Sequence, residues 1–250
     1  MEGDKRISRI TVLSFDVFGT LLDLEEDKSR PDAYRQLARW LGYHGILVDG
    51  DELRCRLEAS IAQELQRSTE EHPDVEISSL LGGVLIALAP GSCSDIHALL
   101  AETALLLRTL TTQSLSVVPG AKEALEELGK HYRLGICSNT QRAYTIGELR
   151  MFGLLDFFEH IVFSSDVKVT KPNPKIFRVL LERFGVSADS VCHIGDNMGD
   201  DVEGASVAGM ATILFERTPT AHPMTFGGAH SPTAIVTALE QLRVVLPRGE

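Results

Sequence analysis

Apolar and polar positions along this chain follow two different periods. Val12, Leu13, Ser14 and Phe15 form a run with the length and β-rich composition of a buried parallel strand. The run stops at Asp16, and a Gly19-Thr20 turn signal and apolar Leu21-Leu22 follow. From 24 to 116 little reads as buried strand and much as helix. Pro31 opens a helix that Gly42 ends, and Asp51 to Arg67 places Leu53, Leu57, Ile61 and Leu65 on one helical face. A polar loop containing Pro73 separates these from two further apolar helical stretches, Ser78 to Leu88 and Ser94 to Leu110, divided by Pro90-Gly91.

From Val117 the pattern becomes an α/β alternation. A helix from Ala121 to Tyr132 precedes the strand Leu134 to Cys137, which ends at Ser138-Asn139. A helix through about Phe152 leads to a strand Glu159 to Phe163, ending at Ser164-Ser165. The prolines of VKVTKPNPKIF force a loop before a helix through Phe184. Val191 to Ile194 is a strand ending at Gly195-Asp196, Asp200 to Gly209 a helix, and Ala211 to Phe215 a fifth strand. Residues 218–232 read as irregular, with His222 and His230 as surface residues, and a last helix runs from Thr233 to Val244. The pattern predicts a Rossmann-like α/β core with a parallel five-stranded sheet, made of 1–23 and 117–250, carrying an inserted all-α unit at 24–116. The carboxyl ends of parallel strands open on one edge, where such sheets hold their ligands. That edge would gather Asp16, Ser138, Ser164 or Ser165, and Asp196.

Composition narrows the classes. The 250 residues are 44% hydrophobic, enough for a sizeable core, and the net charge of −11 argues against a general nucleic-acid or anionic-membrane binder, which would want a basic face. No apolar run approaches the roughly 18 residues that span a bilayer, and the amino terminus lacks the apolar core of a secretory signal, so a cytoplasmic location is expected. Cys55, Cys93, Cys137 and Cys192 form no CxxC pair, and the eight histidines show no metal-ligand spacing, which argues against a zinc enzyme.

Four short segments then acquire meaning together. Asp16-Val-Phe-Gly-Thr20, Ser138-Asn139, Lys171-Pro172 with Ile176-Phe177, and Gly195-Asp196 with Asp200 and Asp201 resemble, in order, the four motifs of the haloacid dehalogenase (HAD) superfamily of aspartate-nucleophile hydrolases. The helical unit sits where that family carries a cap. The resemblance implies Asp16 as nucleophile and a Mg²⁺ held by Asp16, Asp196 and the backbone carbonyl of Phe18. It implies Asn197, Asp200 and Asp201 behind the metal, and a substrate cradle of Phe18, Gly19, Thr20, Ser138, Asn139 and Lys171. The chemistry agrees: a carboxylate attacking a phosphate dianion meets like charge, which a hard cation with oxygen ligands relieves. Lys171 acts as a point charge on the same oxygens. Taken singly, Ser138 or Asn139 is more often a helix cap, Lys171 a solvated lysine and the acidic run a helix start.

One position departs from the family pattern. Most phosphatases that the chain resembles carry a second Asp two residues after the nucleophile to protonate the leaving alcohol; here it is Phe18. Three readings compete. The first is a Mg²⁺-dependent phosphatase of a small phosphorylated metabolite, an ester or acyl phosphate whose leaving group needs little protonation. The second is a metal-independent 2-haloacid dehalogenase, whose halide leaves without a proton and whose relatives carry an aromatic at that position. The third is a catalytically weak relative that binds a ligand or partner. A phosphonatase would need a lysine in the inserted unit for a Schiff base, and Lys28 is the only one there. The intact Gly195-Asp196 favours the first reading. The arginines Arg35, Arg39, Arg54 and Arg56 are read as surface residues, with at most one reaching the substrate.

Overall fold

The computed structural model describes residues 9–88, 96–217 and 230–246. Its main sheet has six parallel strands: β1 (Val12–Phe15), β4 (Arg133–Ser138), β5 (His160–Phe163), β6 (Val191–Gly195), β7 (Ala211–Phe215) and β8 (Ala234–Val236), in the order β5-β4-β1-β6-β7-β8. Strand β1 is central and buried on both faces, as its near-continuous apolar run requires. The remaining two strands, β2 (Leu22–Glu26) and β3 (Thr112–Val117), pair antiparallel as a separate ribbon, Leu22 facing Val117 and Leu24 facing Leu115.

Helices cover both faces of the sheet. One core packs Leu13, Phe15, Leu125, Ile136, Leu149 and Ile213 together, and the other packs Val12, Val162, Ile176, Phe177 and Leu180. Asn173 caps the helix Pro174–Phe184, and Gly185, at φ 65°, ends it. Residues 31–111 carry four helices, α1 (Pro31–Tyr43), α2 (Gly50–Arg67), α3 (Ile77–Leu88) and α4 (Ile96–Thr111). They bury a third core of their own, around Leu37, Leu41, Leu53, Leu57, Leu81 and Leu85. Pro31 starts α1 and the Asp49 carboxylate caps α2.

Three expectations need correction. The sheet has six strands, not five: Ala234–Val236 pairs with β7, and only Leu242–Val245 of the expected 233–244 helix is α-helical. Ile235 and Val236 are β-branched and suit edge pairing against Ile213, Leu214 and Phe215, while the helix-forming residues lie further along the segment. The segment read as strand-free begins and ends in strand, because the ribbon is half exposed and its Asp, Glu, Ser and Gln side chains hide its period. The expected helix 200–209 is a π-helical turn, Met198–Glu203, followed by Gly204–Val207. The start of the helix expected at Ser94, together with Cys93 and His222, lies outside the described residues; His230 lies inside them and is partly buried.

Among the described residues, the four-helix segment meets the sheet unit near the lysine loop and near Glu148, besides the ribbon. Its 72–77 stretch lies on the loop before Lys171, through Asp74 N donating to Lys168 O at 3.0 Å and Thr170 N to His72 O at 2.8 Å. The Gln141 side chain holds the same stretch, accepting from Ile77 N at 2.9 Å and donating to Val75 O at 2.8 Å. On the other side Arg108 of α4 bonds Glu148, on the helix after β4, at 2.6 Å.

Candidate active site

The predicted residues converge at the carboxyl edge of the sheet. Asp16 follows β1, Ser138 ends β4, Asp196 follows β6, and the loop from Val169 to Asn173 brings Lys171 between them. Asp16, Phe18, Ser138, Asn139, Lys171, Asp196, Asn197, Asp200 and Asp201 line one cavity of about 200 Å³. Gly19 and Thr20 lie just behind its wall. Gly19 has φ 86°, and a Cβ there would come 2.3 Å from Asp196 Oδ2, so only glycine lets the turn close against that carboxylate. Thr20 is buried, and its hydroxyl donates to Asp196 Oδ1 at 3.4 Å.

Lys171 is the hub. Its side chain is 2% exposed, and Nζ bonds Asp16 Oδ1 at 2.6 Å and Asp201 Oδ1 at 2.5 Å. Burial opposes the charge, but Asp16 and Asp201 outweigh it and hold the ammonium above the usual lysine pKa. Asp201 Oδ2 accepts from Asn197 N at 2.9 Å. Burial works against its ionisation, yet Lys171 and His193 keep the Asp201 carboxyl well below the usual range. Burial pushes Asp16 up, and Lys171 and the nearby Ser138 hydroxyl oppose it. Asp196 is pushed up to about 6, by burial first and then by the charges of Asp16 and Asp201.

Asn139 spends its amide on the lysine loop, accepting from Lys171 N at 2.7 Å and donating to Lys171 O at 3.1 Å and Asp200 Oδ2 at 3.3 Å. Asn197 caps the π-helical turn, its Oδ1 accepting from Gly199 N at 2.9 Å and Asp200 N at 3.0 Å. The turn in this way aims Asp200 and Asp201 at the cavity. Arg35, Arg39 and Arg56 are exposed and Arg54 partly buried, and none of the four lines the cavity.

His193 and Arg108 are buried ionisable residues that the sequence reading does not single out. His193 lies inside β6, between Ser14 and Asp201. Arg108 stacks against Phe18, 5.2 Å from the ring centroid, and against Tyr144 at 4.5 Å, with Glu26 Oε2 at 2.9 Å and Glu148 Oε1 at 2.6 Å. A polar residue inside an otherwise apolar run, VCHIG and LLLRTL, is the signal that marks both.

Asp16, Asp196 and Asp201 offer carboxylate oxygens within 4.8 Å of one another. The donor set fits a hard cation: all oxygen, three charges at close range, and one carboxyl already raised by the others. Of the three, Asp16 and Asp196 are suited to hold it, because both oxygens of Asp201 are taken by nitrogen donors.

A parallel sheet whose carboxyl edge presents a lysine-paired aspartate beside an acidic loop defines an aspartate-based hydrolase. The chain belongs to the haloacid dehalogenase-like hydrolase family, whose model matches residues 14–215. It is similar to the glyceraldehyde 3-phosphate phosphatase of Pyrococcus furiosus, 28% identical over 96% of this chain and 94% of that one. To its Pyrococcus abyssi counterpart it is 38% identical, over 41% of this chain and 43% of the relative. Among solved structures it is similar to 2-haloacid dehalogenase from Pseudomonas syringae pv. tomato, with TM-score 0.67 and 25% identity over 95% of this chain and 98% of that one. A HAD phosphatase from Thermococcus onnurineus gives 0.55 and 26%, over 96% and 98%.

Proposed function

We propose that the chain is a Mg²⁺-dependent phosphohydrolase in which Asp16 is the nucleophile and residues 24–116 form a helical cap over the sheet unit. The observation that carries this reading is the acidic trio, with Asp196 beside Asp16 and free of ion pairs among the described residues. A haloacid would bring its own carboxylate into that negative site, whereas a phosphate brings the charge that a cation there serves. Asp16, Asp196 and the Phe18 backbone carbonyl would hold Mg²⁺, which when bound offsets the charge of the phosphate dianion.

The chain's own groups do the rest. With Oδ1 of Asp16 bonded to Lys171, the other carboxylate oxygen attacks phosphorus. The bond to the leaving oxygen breaks with its electron pair, giving an aspartyl phosphate that water then hydrolyses. Lys171 and Ser138 stabilise charge on the transferred group, and the amides of Phe18 to Thr20 add donors. No acid stands at position 18. A positioned general acid is typically worth about 10²–10⁴-fold, so acyl phosphates and esters of acidic alcohols are the expected substrates, as small phosphorylated metabolites suited to a cavity of about 200 Å³. The phosphatase names of the Pyrococcus relatives support a small phosphorylated substrate in general, without favouring this narrower class.

Phe18 itself favours a second reading, a metal-independent 2-haloacid dehalogenase, in line with the Pseudomonas syringae neighbour. Phosphate release from a panel of esters and acyl phosphates, Mg²⁺-dependent and lost with EDTA, is expected. Chloride release from 2-chloropropionate without metal would replace the first reading with the second. In either case Asp16→Asn should abolish turnover.

A further inference from the structure

His193 has no part in the chemistry above, yet it stands two hydrogen bonds from the nucleophile's own partner. Strand β6 is buried throughout and the imidazole has no exposed side-chain surface. A buried ring is tolerable only when both nitrogens are satisfied. Here Nδ1 lies 3.0 Å from Ser14 Oγ, on the residue facing it in β1, and Nε2 lies 3.0 Å from Asp201 Oδ1. Phe177 packs edge-on against the ring, with centroids 5.2 Å apart. The Asp201 carboxylate only accepts, so Nε2 must carry a hydrogen. The line Ser14–His193–Asp201–Lys171–Asp16 is a continuous hydrogen-bonded chain ending on Asp16 Oδ1.

From His193 onward, each part of this chain restrains the next. Asp201 Oδ1 is shared between Lys171 and His193, and Oδ2 is pinned by Asn197 N. The carboxylate also fills the space beside Gly195, where a Cβ would come 2.2 Å from it. Without His193, Oδ1 has Lys171 as its sole nitrogen donor, and Asp201 can turn to draw the ammonium away from Asp16. We infer that His193 is a positioning residue for the hydrolytic reaction, holding Asp201 so that Lys171 stays shared with Asp16 Oδ1. The inference rests on the proposed nucleophilic role of Asp16.

Three variants test it. His193→Asn keeps an amide toward Ser14 and loses the donor to Asp201. His193→Gln extends a donor toward the position of Nε2, and Ser14→Ala removes only the far bond. Outer-shell partners at metal sites typically cost about 10–100-fold when removed, and a loss of that order is expected for a group holding Asp201. His193→Asn should therefore lower kcat by that factor with KM little changed, His193→Gln should recover most of the loss, and Ser14→Ala should change kcat little. A substrate-independent arm is the ¹⁵N resonance of His193 Nε2, expected as a protonated nitrogen that shifts in Asp201→Asn. Wild-type kcat in His193→Asn overturns the inference, as do equal losses in the Asn and Gln variants that track melting temperature. If the wild-type enzyme turns over none of the phosphate panel, the functional reading fails separately. An Nε2 without a proton then overturns this one, and a protonated, Asp201-sensitive Nε2 sustains it.

Discussion

Arg108→Met puts a number on the buried contact between α4, the ribbon and the sheet unit. The guanidinium is 4% exposed and bonds Glu148 and Glu26, whose side chains are 8% and 12% exposed. The two glutamates depend on it unequally. Glu26 also accepts from Thr111 Oγ1 at 2.9 Å and lies 3.6 Å from Lys28. Among the described residues, Glu148 has no second cation, and its Oε2 and Arg108 Nη2 have no hydrogen-bond partner. Removing Arg108 strands Glu148 as an uncompensated buried charge, a change that costs about 3–5 kcal/mol. For a chain of this size each kcal/mol moves Tm by about 2–4 °C, so calorimetry should show a drop of roughly 6–20 °C. Glu148→Gln should recover much of it in the double variant, because the orphaned charge goes with it; the coupling from the double-mutant cycle measures the pair. A fall of less than 2 °C for Arg108→Met, or a double variant less stable than the single one, would refute the reasoning.

Other perturbations reach the site and the core. Added Mg²⁺ at about 100 times its Kd should stabilise by about 2.7 kcal/mol, raising Tm by roughly 5–11 °C, and Asp196→Asn should abolish the rise. Gly19→Ala forces a side chain into a φ 86° turn 2.3 Å from Asp196 Oδ2, and should remove the same Mg²⁺ response while lowering Tm. Burial pushes the Cys137 and Cys192 thiols from 9.0 up to about 12. Each folded-state pKa is raised, so their contribution to stability is full below pH 9.0 and lost as pH rises toward about 12, which urea titrations across that window should register. Phe18→Asp, which would place a carboxyl where the family's phosphatases carry their second Asp, should leave turnover of poor leaving groups unimproved while Arg108 is present.

The sheet edge was legible because each central strand is an apolar run cut short by a polar residue: Asp16 after Phe15, Ser138 after Cys137, Asp196 after Gly195. Burial on both faces writes that signal strongly. The ribbon writes a weak one, since Leu22–Glu26 and Thr112–Val117 are largely polar and partly exposed, and α4 runs into Thr112 without a breaker. Strand β8 is three residues at a sheet edge, and only its pairing with Ile213, Leu214 and Phe215 makes it a strand. Within the site, sequence identified which residues meet but not how their hydrogen bonds are spent. Asn139 and Asn197 were expected at the substrate and behind the metal; their side chains hold the Lys171 loop and the π-helical turn. Arg108 was invisible as a partner because Glu26 and Glu148 lie on segments far apart in the chain.

That cluster also bears on why position 18 carries a ring. Phe18 lines the cavity, and the guanidinium of Arg108 lies 5.2 Å from its centroid, within the range of a cation–π contact. Arg108 already faces two carboxylates with a single charge. A third carboxylate at 18 would add like charge to a desolvated cluster and compete for the same guanidinium. An acid held ionised by a neighbouring arginine has its pKa lowered and has no proton to give a leaving group. A phenyl ring in that place keeps the cation in contact without adding charge, and leaves the cavity wall apolar on that side. The missing acid and the buried arginine are thus one feature: with Arg108 where it is, protonation of the leaving group cannot come from position 18. If the proposed phosphohydrolase reading holds, substrates whose leaving oxygen departs as an anion are the ones expected to turn over.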